Sequence, residues 1–115
     1  MTAAAALKNV LHSLSESKAE DVSPIDITGK SPLGDYMVVA SGRSNRHVAA
    51  IAERLLSDLK EAGIGEIRVE GLRQGDWVLL DAGDVIVHVF RPEVRAFYNL
   101  EKMWSADHPA APVAV

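Results

Sequence analysis

Two strongly apolar segments, DWVLLD at 76–81 and DVIVHVF at 84–90, stand only two residues apart. A link as short as Ala82-Gly83 joins antiparallel neighbours, so these segments form a hairpin. Earlier in the chain, DYMVVAS (35–41) and IGEIRVEG (64–71) are separated by a stretch of helical periodicity. Strands joined through a helix normally run parallel. One sheet that holds both kinds of connection must be mixed.

The helical stretch runs from about Ser44 to Ala62. Val48, Ile51, Leu55, Leu56 and Leu59 line one of its faces, and Gly63 is placed for a stop. A first helix covers residues 3 to about 19, with Leu7, Val10, Leu11 and Leu14 on one face and Thr2 as its cap. VSPIDIT (22–28) reads as a short strand, and Pro24 suits a sheet edge. GKSPLG (29–34) is a loop. Pro92 can open a last helix, with Glu93 in its first turn, running to about Trp104. The tail DHPAAPVAV shows no amphipathic pattern and is expected to be frayed over 105–115. The order α-β-β-α-β-β-β-α predicts one α/β domain: a mixed five-stranded sheet with flanking helices.

Size and charge narrow the function. The chain has 115 residues, enough for one core. Its net charge is -4 and it has no basic block. Nucleic-acid affinity comes largely from Lys and Arg neutralising phosphates, so DNA or general RNA binding is disfavoured, and a basic protein surface is the more natural partner. The absence of cysteine removes disulfides, thiolate metal sites and a cysteine nucleophile, and it fits a reducing, cytoplasmic setting. There is no long apolar run, so no membrane-spanning helix is expected. The opening MTAAAALKNVLHSL lacks a basic n-region and does not read as a secretory signal.

Several motifs admit a chemical reading and a structural one. SGRSNRH (41–47) lies where a strand turns into a helix. Backbone N–H groups there can hold an anion with help from Arg43 and Arg46, making a nucleotide- or anion-binding module the alternative function. The structural reading, that Gly42 makes the turn and Ser44 caps the helix, is favoured, because helix starts need caps far more often than ligands. Asp76, Asp81 and Asp84 flank the hairpin. Two-metal transfer chemistry needs converging carboxylates. In Asp84-Val85-Ile86 the place for a second carboxylate on the same strand face is held by Ile86, so Asp81 and Asp84 read better as hairpin-end residues. His12, His47, His88 and His108 share no metal-ligand spacing; His88 reads as a structural histidine. No catalytic residues, cofactor or metal are expected, and no enzyme.

The aromatic residues carry the remaining signal. Strand alternation puts Trp77, Leu79 and Asp81 on one face, with Val78 and Leu80 on the other. Trp77 can serve as an interface anchor or as core packing.

The stretch from Glu70-Gly71 through GDWVLLDAGDVIVHVFRPEVRAFYNLEKMW (70–104) closely resembles a signature of the ribosomal silencing factor family, also called RsfS or Iojap. DITGKSPLGDYMVVASGRSNRHV (26–48) resembles that family's other signature. The similarity covers residues 1–104 and leaves out the Ala/Pro tail. It implies an α/β domain shaped like nucleotidyltransferases but lacking their catalytic residues. It also implies a factor that binds the large ribosomal subunit through ribosomal protein fourteen, blocks joining of the small subunit and represses translation when nutrients are scarce. Family members are linked to large-subunit maturation, and several are homodimers off the ribosome. On this resemblance, Trp77 and Tyr98 are expected as apolar anchors of the interface, joined by Leu79 and Lys102, with Asp76 and Asp81 pairing with basic groups of the partner.

Overall fold

The computed structural model describes residues 2–30, 32 and 34–94. The chain begins with helix α1 (Ala3–Glu16), capped by Thr2, whose hydroxyl accepts a hydrogen bond from the Ala5 N–H at 3.1 Å. The helix stops earlier than periodicity suggests. Lys18 takes a left-handed φ of 60°, and the Ala19 N–H returns to the Leu14 carbonyl. The terminator is a lysine rather than a glycine, so no sequence signal marks it.

Five strands follow: β1 (Glu20–Asp26), β2 (Tyr36–Ser41), β3 (Arg68–Glu70), β4 (Trp77–Asp81) and β5 (Val85–Phe90), with helix α2 (Asn45–Glu61) between β2 and β3. They form one sheet in the order β1-β2-β5-β4-β3. β2 and β5 pair parallel, and every other neighbouring pair is antiparallel. The hairpin is as expected; the Ala82 N–H bonds the Val85 carbonyl across its turn, and Gly83 has φ 89°. The crossover through α2 does not bring its two strands side by side. It leaves a gap, which the β4–β5 hairpin fills, so the parallel partner of β2 is β5. β3 is also shorter than the alternation over 64–71 predicts. Only Arg68–Glu70 finds a partner, at Leu79–Asp81 of β4. Ile64 and Ile67 instead pack as side chains against the core without joining the ladder.

Both helices lie on one face of the sheet. Val10 and Leu14 of α1 and Val48, Ile51, Leu55 and Leu59 of α2 are fully buried against Val38, Ala40, Val78, Leu80, Val87 and Val89. Full burial of such a side chain is worth about 1.5–3 kcal/mol, so this layer supplies most of the folding energy. Ser44 caps α2 by accepting from the His47 N–H at 3.1 Å. His47 ties the two helices together: its Nδ1 accepts from the Arg43 N–H at 2.9 Å, which leaves its Nε2–H to donate to the Ser17 carbonyl at 3.0 Å. At Gly42 a Cβ would lie 2.8 Å from the Val48 side chain, so only glycine lets the chain turn this closely into α2.

Pro92–Val94 have helical geometry, in keeping with a last helix opening at Pro92. The rest of that helix, with Tyr98, Lys102 and Trp104, and the tail at 105–115 lie outside the described residues. Among the described residues no helix is long and apolar enough to cross a membrane.

Candidate functional site

The second face of the sheet is organised in rows set by strand register. Ser41, Phe90 and Trp77 form one row across β2, β5 and β4; Val39, His88 and Leu79 form the next; Met37, Ile86 and Asp81 form the third. Met37, Val39, Ile86 and Phe90 are buried, whereas Trp77, Leu79, Asp81 and His88 are only half-buried. The alternation along β4 therefore does as the sequence implies: Val78 and Leu80 point to the helix layer, and Trp77, Leu79 and Asp81 point away from it.

Trp77 is held by two neighbours, Phe90 and His88. Its indole stacks on Phe90, with ring centroids 4.9 Å apart and planes at 21°. Its ring also meets His88 at 5.8 Å, and its Nε1–H donates to His88 Nδ1 at 2.9 Å. An offset stack of this kind contributes about 0.5–1.5 kcal/mol beyond the area it buries. Burial pushes the His88 imidazole down to a pKa of about 4, so it is neutral at neutral pH and can accept the indole proton. His88 is thus a satisfied structural histidine toward Trp77, as its position in a strand suggests.

A shallow pocket of about 290 Å³ lies beside this anchor, lined by Glu70, Gly71, Trp77 and Leu79. Gly71 forms its wall because the loop passes directly over β4. With φ at 84°, its built Cβ would fall onto the Trp77 carbonyl, so a side chain there would displace the start of β4.

The acidic residues have internal work as well as surface positions. Asp76 pairs with Arg91 at 3.1 Å and accepts from Asn45 Nδ2 at 3.1 Å. Asn45 also donates to the Gln74 carbonyl at 3.0 Å, so the 71–76 loop is pinned to the start of α2. The Asp81 carboxylate accepts from the Gly83 N–H at 2.9 Å, which is the hairpin-end role its position predicts. Of the six residues expected at an interface, the fold brings Trp77, Leu79 and Asp81 to one face and puts Asp76 at its corner; Tyr98 and Lys102 lie outside the described residues. Phe90 and His88 were not singled out as site residues. Register with Trp77 and Leu79 places them there, and the sequence carries that pairing only in the shortness of the hairpin link.

The SGRSNRH segment is built as a cap: Ser44 is engaged with the His47 N–H, and Arg43 pairs loosely with Glu20 at 3.6 Å. On β5, Ile86 occupies the second face with a 6 % exposure, where a carboxylate two residues after Asp84 would stand.

These features define a class: a single α/β domain in which α1 and α2 cover one side of a mixed five-stranded sheet, and whose other side carries, among the described residues, an aromatic and aliphatic cluster with acidic neighbours. The family model described as "Ribosomal silencing factor during starvation" matches residues 1–114, and the chain belongs to that family. The ribosomal silencing factor RsfS of Zymomonas mobilis is 51 % identical over 109 residues, covering 94 % of this chain and 82 % of that protein. A crystal structure of a Chromobacterium violaceum protein superposes with a TM-score of 0.87 at 39 % identity, covering 97 % of this chain and 98 % of that one. A mouse protein named "Mitochondrial assembly of ribosomal large subunit protein 1" is 33 % identical over 95 residues, which are 80 % of this chain and 42 % of the mouse protein.

Proposed function

We propose that this chain is a cytoplasmic, non-catalytic silencing factor that docks on the large ribosomal subunit through the second face of its sheet. Lodged there, it keeps the small subunit from joining and represses translation when nutrients are scarce. The observation that supports this reading best is the Trp77 cluster. A large aromatic stacked on Phe90, hydrogen-bonded to His88 and only half-buried is arranged like a binding anchor whose orientation is settled before the partner arrives.

The contact within the large subunit is ribosomal protein fourteen, with Trp77 and Tyr98 as anchors and Leu79 beside them. Asp81 and Asp76 offer negative charge to basic groups of that partner, and Lys102 adds a contact from the C-terminal segment. Acidic surface groups facing a basic protein raise the rate of encounter, while the aromatic centre slows release. Off the ribosome, two copies pair. The name of the mouse relative, which refers to assembly of the large subunit, fits a protein that meets that particle during maturation as well as in silencing.

Steric blocking needs affinity and bulk but no bond chemistry, so no cofactor enters the reading. The test is sedimentation of purified large and small subunits through a sucrose gradient with and without the protein. Co-sedimentation with the large subunit and fewer joined ribosomes is the expected result. A protein that stays at the top of the gradient and leaves joining unchanged refutes it.

A further inference from the structure

His88 has a second ring nitrogen that the packing around Trp77 does not use. An indole N–H can only donate, so the 2.9 Å contact from Trp77 Nε1 makes His88 Nδ1 the acceptor. A neutral imidazole with an accepting Nδ1 must carry its proton on Nε2. The tautomer is therefore dictated by Trp77. The bond to Trp77 is the one hydrogen bond of the His88 side chain among the described residues. The His88 side chain is half-buried, and its Nε2 has no hydrogen bond among the described residues.

The surroundings of this donor are apolar. Leu79 stands directly across β4 from His88 and Val39 directly across β2; the Trp77 and Phe90 rings lie 5.8 Å from the imidazole. A donor in such a frame loses its water when a partner covers it, and it must be given an acceptor or weaken the complex. The acidic groups nearby narrow what that acceptor can be. Glu70 is the cross-strand neighbour of Leu79 and shares the row of His88; Asp81 lies two residues along the same face with Arg68 opposite it, so the group nearest in register is the acid Glu70. A carboxylate on the partner would meet like charge, whereas a neutral oxygen would not.

From this geometry we infer that His88 offers its Nε2–H at the centre of the docking face to a main-chain carbonyl of the bound protein partner, making it a specificity-determining contact as well as the support of Trp77. The inference rests on the docking reading above. It adds a polar contact inside an otherwise apolar centre, and it makes recognition depend on partner backbone placed within reach of the imidazole.

The experiment measures affinity for purified large subunits in a set of variants of the full chain. Trp77→Ala reports on docking itself and is expected to lose about thirty-fold or more. His88→Gln is expected to stay within about three-fold, because its amide can accept from the indole and donate outward. His88→Leu, checked for folding by thermal melt, is expected to lose about ten-fold. That loss could arise through Trp77 alone, so the decisive arm repeats His88→Leu in a Trp77→Phe background, where no indole N–H exists. A further loss of several-fold there supports the outward donor. No further loss there, with Trp77→Ala still weakened, overturns the donor and leaves docking standing. Full binding by Trp77→Ala overturns the docking reading and the inference with it. Independently of any partner, nitrogen NMR of the wild-type protein at neutral pH is expected to show His88 protonated at Nε2; protonation at Nδ1 overturns the inference.

Discussion

On the face of the sheet that α1 and α2 cover, Val38, Ala40, Val78, Leu80, Val87 and Val89 are completely buried and wholly apolar. On the opposite face, three half-buried side chains of different chemistry, Trp77, Leu79 and His88, sit among the buried Met37, Val39, Ile86 and Phe90. The same five strands thus carry one fully buried, wholly apolar surface and another of mixed chemistry, the one proposed for recognition. The first can be interchangeable aliphatics because packing density is what it supplies. On the second, a hydrogen bond to His88 and a ring stack on Phe90 hold one aromatic side chain, Trp77, in a set orientation.

If the two faces divide their work in this way, variants should separate stability from binding. Leu80→Ala on the helix side is expected to cost about 3 kcal/mol in chemical denaturation, since it opens a cavity in a fully buried layer. The fraction that remains folded should bind large subunits as the wild type does. Reduced affinity in that folded fraction would break the division.

The next effect links His88 to stability through pH. Its pKa is about 4 in the folded protein, against an ordinary value of 6.5. The unfolded chain therefore takes up a proton, below about pH 6.5, that the folded protein refuses. The stabilisation is complete above that value, falls as pH drops toward 4 and then levels off. Its size is on the order of 3 kcal/mol. Urea titrations between pH 7 and pH 4 should show this fall, and His88→Gln should remove that part of it. An unchanged profile in His88→Gln would mean that the recognition face does not bear on acid stability.

Trp77→Ala should cost about 2 kcal/mol or more of binding to the large subunit, measured by sedimentation or surface binding. Equal losses of stability and binding would show Trp77 to be mainly a core residue. The smallest effect expected is from Ser44→Ala. Loss of the α2 cap should lower stability by about 1 kcal/mol in thermal or chemical melts and leave ribosome binding alone. A clear loss of binding by Ser44→Ala would give the α2 start a role beyond capping.

Much of this architecture was legible in order and type. Helical spacing located α1 and α2, short strongly apolar runs located β4 and β5, and Ala82-Gly83 made them a hairpin. Local rules suffice there because periodicity, caps and short links act over a few residues. They also separated Trp77, Leu79 and Asp81 from Val78 and Leu80, since strand alternation is a property of the backbone. The end of α1 escaped because Lys18 terminates it in a conformation usually marked by glycine. The shortness of β3 escaped because alternation at Ile64 and Ile67 reports burial, while strand pairing needs a neighbour at the right distance.

What the sequence determined by itself was therefore the order of elements through β5, the mixed sheet and the sidedness of β4. The tertiary structure decided which strands became neighbours: the β4–β5 hairpin inserted between β2 and β3, and this placed Val39, His88 and Leu79 in one row. It also decided that the Trp77 indole would meet His88 and thereby set the tautomer of that ring. Side chains 11 residues apart in sequence meet here through register, and register is settled only when the whole sheet buries its apolar face.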